Sequence, residues 1–459
     1  MTTTHYPSLF PTPDRIGAGA LVEGGTLKLP RQTSVGNYFI SNYPPFSCWK
    51  EENIPAVLGA LTKENPPGPL GLYVHIPFCR QRCHYCYFRV YPRRSEEEVD
   101  RYVGSVLREL SLYLPWPAFH GRAFSSVYFG GGSPSYLSAD QIARLLGGLQ
   151  ELKSWRAVEE CTFECKPGTV TPEKLRALQA FGVTRLSLGF QSLNDAVLRR
   201  SGRDLGVGDC LAAYRVAREA GFKEINIDLL AGLPGETANT WRRTIDQVLQ
   251  LEPDCVTIYQ MELTYNSAIY GSMQAGREPR LPSWPSKRRW VGEAFEAFER
   301  AGYVIGSGYM AIRDPSRWRF VYTVEHLWHG EDLLALGETS FGHVQGVHYQ
   351  NADTFDRYTG LVAEGKLPLW RALALRPEEK LRREVILLLK TGALDAAYFR
   401  KKFGVELVKH FAREFGELRD NGLLEIEGDC LRLTRKGLLE VDWLLPRFYL
   451  PEHMGVRYT

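Results

Sequence analysis

The sequence predicts an α/β fold: a partial (β/α)6 barrel over residues 71–345, an N-terminal arm over 1–70, and a C-terminal helical, winged-helix-like capping domain over 346–459. Two observations carry that expectation. Six short, apolar, β-rich runs recur between longer amphipathic stretches: Leu72–Ile76, Ser126–Phe129, Cys161–Cys165, Arg185–Phe190, Ile225–Leu230 and Cys255–Met261. Strands that alternate with helices imply repeated right-handed crossovers and therefore a parallel sheet. The loops richest in Cys and Gly come directly after these runs, at the C-terminal strand ends where such folds carry their sites.

The arm is rich in Pro, Gly and aromatics, including Tyr43-Pro44-Pro45-Phe46 and Pro66-Pro67-Gly68-Pro69, and shows little periodicity. It reads as a wrap over the barrel, whose aromatics Tyr38, Phe39, Tyr43, Phe46 and Trp49 pack or help close a site. Between the first two runs, Val99, Tyr102, Val103, Val106, Leu107, Leu110, Tyr113 and Leu114 follow helical spacing, with Asp100, Arg101, Arg108 and Glu109 on the other face. From about residue 370 the pattern turns helical. Leu381, Val385, Leu388 and Leu389 share one face, Leu407–Leu418 makes a second helix, and Leu423–Ile426, Gly428-Asp429 and Leu431–Leu433 read as a hairpin. Helices followed by such a wing suggest packing and capping rather than DNA binding, because acidic residues (Glu406, Glu414, Glu417, Asp420) interrupt any positive face.

With 44% apolar and 24% charged residues among 459, the chain has globular composition, which excludes disorder for most of it. A net charge of +3 without blocks of like charge gives no reason to expect a nucleic-acid or anionic-membrane partner. The N-terminal Met-Thr-Thr-Thr-His-Tyr-Pro lacks secretory-signal character, and no run of about 18 apolar residues could span a bilayer, so a cytoplasmic protein is expected. Three of the nine cysteines fall at 79, 83 and 86 and the rest are dispersed, which points to metal ligation in a reducing compartment rather than disulfides.

Cys79-Arg80-Gln81-Arg82-Cys83-His84-Tyr85-Cys86 places three thiolates on one short loop. A [4Fe-4S] cluster normally takes four cysteines; with three, one iron stays open to a small chelating molecule. Zinc is the alternative, with His84 inside the loop, but it ordinarily takes a fourth Cys or His at short spacing. After the second run, Phe129-Gly130-Gly131-Gly132-Ser133 offers backbone N–H groups to a carboxylate without Cβ hindrance, although a plain tight turn has the same composition. Asp228 interrupts an apolar strand and so requires a partner.

Cys-x3-Cys-x-aromatic-Cys resembles the signature of the radical S-adenosylmethionine (SAM) superfamily. Tyr73-Val74-His75-Ile76-Pro77-Phe78-Cys79 resembles the first strand of oxygen-independent coproporphyrinogen III oxidases and their relatives, among them heme chaperones, heme-opening enzymes and class C radical SAM methyltransferases. The similarity continues through nearly the whole chain. It implies a [4Fe-4S] cluster on Cys79, Cys83 and Cys86 and one or two SAM molecules. The SAM amino and carboxylate groups would lie at Gly131, Gly132 and Ser133, the first SAM at Glu164 and a second at Gln191, Arg203 and Asp228; Tyr73 and Tyr85 match cofactor-lining positions, and Phe341 takes an apolar family position with a changed side chain.

The chain departs from the oxidases at Phe88, where they carry a further cysteine and the chaperones carry Phe. In the opposite sense, Ser41-Asn42-Tyr43-Pro44 resembles the oxidase extension, which the chaperones lack, and Gly337–His343 through Tyr349–Asn351 also follows the oxidase. The resemblance therefore implies a radical SAM oxidoreductase acting on a porphyrinogen or other conjugated ring, supplied with electrons by a flavodoxin or ferredoxin. Methyl transfer to an aromatic or quinone substrate and heme trafficking are the alternatives. Of these, only heme trafficking would use His326, His329, His343 or His348 as heme ligands, although surface or core histidines are the commoner outcome at such positions.

Overall fold

The computed structural model describes residues 39–64, 68–277, 281–454 and 456, together with the strands Leu21–Glu23 and Thr26–Lys28. Tyr38 and the Pro66-Pro67 pair of the arm lie outside the described residues.

All six β-rich runs form strands: β1 (Leu70–Ile76), β2 (Ser126–Gly131), β3 (Glu160–Cys165), β4 (Arg185–Gln191), β5 (Glu224–Ala231) and β6 (Cys255–Gln260). Each pairs in parallel with the next. Helices return the chain between them: α1 (Glu96–Tyr113), α2 (Ala139–Leu152), α3 (Pro172–Ala180), α4 (Asp195–Arg200) with α5 (Val207–Glu219), and α6 (Ala238–Leu251). Their starts are fixed by side chains. Ser95 Oγ accepts the Glu98 N–H at 3.3 Å while the Glu98 carboxylate takes the Ser95 N–H at 3.1 Å, and Ser138 with Gln141 repeats the device on α2.

The sheet extends on both sides of these six strands. Beyond β6 lie the antiparallel β7 (Val304–Ile305) and β8 (Met310–Ile312). On the other side β9 (Asp332–Leu336) pairs in parallel with β1, followed by antiparallel β10 (Phe341–Val344), β11 (Val347–Asn351) and β12 (Leu369–Ala374). The order is β7-β8-β6-β5-β4-β3-β2-β1-β9-β10-β11-β12. The expected boundary at residue 345 thus falls inside the sheet. Gln345 and Gly346, at φ 48 and 80, form the two-residue turn that carries β10 into β11. Two left-handed residues in succession match the twist of a hairpin.

The last third carries the expected wing. β13 (Ala393–Asp395), β14 (Leu424–Glu427) and β15 (Cys430–Leu433) form a three-stranded antiparallel sheet in the order β13-β15-β14. The second expected helix is two, Leu407–His410 and Ala412–Asp420, parted at Phe411 (φ −112, ψ 38). The arm's Ile40 and Tyr43 belong to the hydrophobic cluster of this last region rather than to the barrel core.

One polar assignment on α1 is reversed. Glu109, expected on the outer face, is fully buried, because three donors meet it: Gly337 N–H at 2.8 Å, the Tyr358 hydroxyl at 2.7 Å and Asn351 Nδ2 at 2.6 Å. It ties α1 to the segment between β9 and β10.

Candidate active site

The C-terminal ends of β1 to β5 open into a cavity of about 920 Å³, and the residues expected to hold the cluster and SAM all line it: the three cysteines, Tyr73, Tyr85, Gly131, Gly132, Ser133, Glu164, Gln191, Arg203, Asp228 and Phe341.

The cysteine loop rests on the turn after α4. His84 N–H donates to Ser201 O at 2.9 Å, Gln81 Nε2 donates to Gly202 O at 3.0 Å, and His84 Nδ1 lies 3.0 Å from Arg200 O. Gly202 has φ +68 and a Cβ there would come within 2.4 Å of His84, so the close seating of the loop requires glycine. Arg82 Nε donates to Cys86 O at 3.2 Å, and Cys86 N–H to Cys83 O at 3.1 Å. Burial pushes the Cys79 thiol up to about 12, and the nearby Cys86 and Cys83 add to the effect. A buried thiol such as Cys79 ionises more readily when a strongly cationic centre compensates it, which fits iron ligation. Among the described residues no group of three or more His, Cys, Asp or Glu side chains is placed to hold a metal ion. Cys165 also borders the cavity, but it lies on β3 and its Sγ points to Phe163 O at 3.8 Å.

The glycine loop serves close approach. A Cβ on Gly131 (φ +124) would lie 2.8 Å from His75 Cε1 and Ile76 O, and one on Gly132 would lie 2.8 Å from Phe78 O. Its contacts pin it to β1, beside the cysteines. Ser133 Oγ lies 3.0 Å from Ser135 Oγ, which in turn accepts the Lys166 N–H at 2.9 Å. Glu164 accepts from the Tyr128 hydroxyl at 2.8 Å and from Gly131 N–H at 3.2 Å. Burial, with the Asp228 charge adding to it, raises its carboxyl to about 7.

Arg203 Nη1 donates to the Tyr85 hydroxyl at 3.0 Å and Nη2 to Gly189 O at 2.5 Å, joining the cysteine loop to β4. Gln191 sits at φ 69 beside an irregularity in the β4–β5 register. Asp228 finds its partners inside the sheet: Ser187 Oγ donates at 2.8 Å and Asn226 Nδ2 at 2.7 Å. Burial outweighs these bonds and raises its carboxyl. Phe341 stacks in a tilted pair with Phe46 of the arm, centroids 4.1 Å apart.

Sequence reading passed over Tyr128, His75, Tyr322 and Arg371, which also line the cavity. Tyr322 comes from a π-helical stretch, Val321–Leu327, and stacks on Tyr128 at 4.6 Å. Strand alternation would have flagged Tyr128, two residues before Gly130 on the same face as Tyr73; nothing local marks Tyr322. The four histidines do not gather. His326 Nδ1 lies 2.8 Å from Ser126 Oγ, His329 Nδ1 lies 2.7 Å from Val324 O, and His343 and His348 pair with each other at 2.8 Å.

Residues 73–248 match the radical SAM superfamily and 375–439 the HemN C-terminal domain. The oxygen-independent coproporphyrinogen III oxidase of Escherichia coli (strain K12) is 30% identical over 389 residues, 82% of this chain and 84% of that protein. The chain belongs to that radical SAM family. The heme chaperone HemW of Bacillus subtilis (strain 168) is 29% identical over 372 residues, 80% of this chain and 96% of that one. The solved coproporphyrinogen III oxidase (HemN) from Escherichia coli superposes with a TM-score of 0.78 at 28% identity, covering 89% of this chain and 96% of that chain.

As a radical SAM protein of the HemN and HemW family the chain takes a [4Fe-4S] cluster and SAM. Among the described residues no helix is long and apolar enough to cross a membrane.

Proposed function

We propose that this radical SAM protein is an oxidoreductase acting on a porphyrinogen, by oxidative decarboxylation of a propionate as on coproporphyrinogen III. The observation that carries the reading is the arm in the cavity wall: Phe39, Ser41, Asn42 and Phe46 line the same space as the cysteine loop. The arm resembles the oxidase extension, and a flat macrocycle needs such an apolar wall on the side away from the barrel.

When bound, the cluster and SAM supply a 5'-deoxyadenosyl radical able to abstract hydrogen. Cys79, Cys83 and Cys86 are the proposed iron ligands, and Gly131, Gly132, Ser133 and Glu164 are proposed to hold the amino and carboxylate groups of SAM. Arg203, Gln191 and Asp228 line a further polar wall suited to a second SAM. The arm aromatics exclude water from the reacting carbon. In the overall change a propionate loses one hydrogen atom to the deoxyadenosyl fragment and releases CO2, leaving a vinyl group, and one electron passes to an external acceptor. A flavodoxin or ferredoxin in the reducing cytoplasm would supply the electron that starts each turnover.

Phe88 favours a second reading, since it stands where the oxidases carry cysteine. The anaerobic assay with dithionite, SAM and coproporphyrinogen III separates them. The expected products are 5'-deoxyadenosine, CO2 and a vinyl-bearing porphyrinogen. S-adenosylhomocysteine with a methylated product would replace this reading by methyl transfer, and a heme Soret band without SAM cleavage would replace it by heme trafficking.

A further inference from the structure

Arg371 differs from three buried or half-buried arginines that lie away from the cavity. Arg122, Arg185 and Arg218 each meet a carboxylate, Asp332 at 2.7 Å, Glu224 at 2.9 Å and Asp254 at 2.7 Å. That is the ordinary compensation for taking a guanidinium out of water. Arg371 lies on β12 opposite Gln350 of β11, and its Nε donates to the neutral Gln350 Oε1 at 2.6 Å. Gln350 is itself buried and held, its Nε2 donating to Thr339 O at 3.0 Å. The guanidinium also lies over the Trp370 ring, 4.6 Å from its centroid. Amide and indole thus fix the plane of the fork, and among the described residues its terminal nitrogens have no hydrogen bond or ion pair.

Arg371, Gln350 and Trp370 all line the cavity. The acid whose charge bears on Arg371, Asp353, is already shared between Arg89 at 3.7 Å and Arg357 at 3.8 Å. Burial pulls the Arg371 guanidinium below its ordinary value, with Asp353 offsetting only part of the effect. A planar, oriented, under-compensated guanidinium facing a cavity is suited to bidentate recognition of a carboxylate.

We infer that Arg371 anchors a carboxylate of the substrate, a propionate on the tetrapyrrole reading, on which this inference rests. Gln350 is the positioning residue: it holds the fork without neutralising it, so the ligand supplies the missing negative charge.

The test is porphyrin fluorescence anisotropy on the reconstituted, anaerobic holoprotein, with coproporphyrin III and its tetramethyl ester as paired probes. The wild type should prefer the free acid. Arg371→Gln should reduce that preference roughly 10- to 100-fold, the scale of a lost charge-assisted hydrogen bond, with ester binding unchanged. Gln350→Glu, which gives Arg371 an internal carboxylate at the loss of the bond to Thr339 O, should reduce it in the same way, with the melting temperature of each variant recorded alongside. A preference retained in both variants, or absent from the wild type, overturns the anchor and leaves the tetrapyrrole reading standing. A wild type that binds neither porphyrin overturns both.

Discussion

A Cβ on Gly202 would stand 2.4 Å from the imidazole of His84, so the turn after α4 and the cysteine loop touch with no room for a methyl group. Gly202→Ala adds the strain of φ +68, about 1 kcal/mol, to a clash against the loop that carries Cys83 and Cys86. Reconstituted Gly202→Ala protein is expected to hold less than half the wild-type iron and sulfide while melting within a few degrees of it. Full iron content would show that the loop accommodates the clash elsewhere.

Tyr128 and Gly131 both donate to Glu164, one to each carboxylate oxygen. Glu164→Gln keeps one acceptor but turns an NH2 group against a donor, which costs on the order of 1–3 kcal/mol at a buried position. SAM affinity measured by calorimetry on the holoprotein should fall at least tenfold with cluster absorbance intact. Unchanged affinity would remove Glu164 from the SAM site.

Much of the site is legible in the sequence because its residues follow strands directly. Each of the six β-rich runs becomes a strand, and the strand ends and the loops after them bring Cys79, Gly131, Glu164 and Gln191 to one cavity. What escapes reading arrives by routes without a local signal. β9 is only five residues long and follows a π-helical stretch instead of an ordinary helix. The β10–β11 turn uses Gln345-Gly346, with neither the Asn nor the Asp that usually announces two left-handed residues. Glu109 looks like an outer-face acid until Tyr358 and Asn351, some 240 positions on, close over it. Arg371 becomes notable only through what it lacks, a carboxylate, which no sequence pattern displays.

Glu109 gives a pH prediction with a definite sign. Burial raises its carboxyl from the ordinary 4.5 to about 8, despite the bonds from Gly337, Tyr358 and Asn351. The native state therefore holds the proton more tightly than the unfolded chain. Its contribution to stability is full below pH 4.5 and is lost as pH rises through 8, on the order of 5 kcal/mol over that window. Glu109→Gln should flatten this part of the Tm profile between pH 5 and 8.5 relative to wild type. Parallel profiles for the two proteins would mean that the carboxyl stays ionised in its cage of donors.

Phe88 is half exposed at the mouth of the cavity, its ring 4.5 Å from that of Tyr87. A cysteine there would sit at the rim, beyond the loop segment that Arg82 closes through the Cys86 carbonyl. If Cys79, Cys83 and Cys86 alone carry the cluster, Phe88→Cys leaves iron content and dithionite-driven SAM cleavage unchanged, whereas Cys83→Ala abolishes both. Loss of the apolar ring should instead weaken porphyrin binding by several-fold, the value of roughly 1–2 kcal/mol of buried aromatic contact. A rise in iron content or a shifted cluster absorbance in Phe88→Cys would show that a thiol at the rim reaches the metal, and the vacant iron position would then belong to a differently shaped loop.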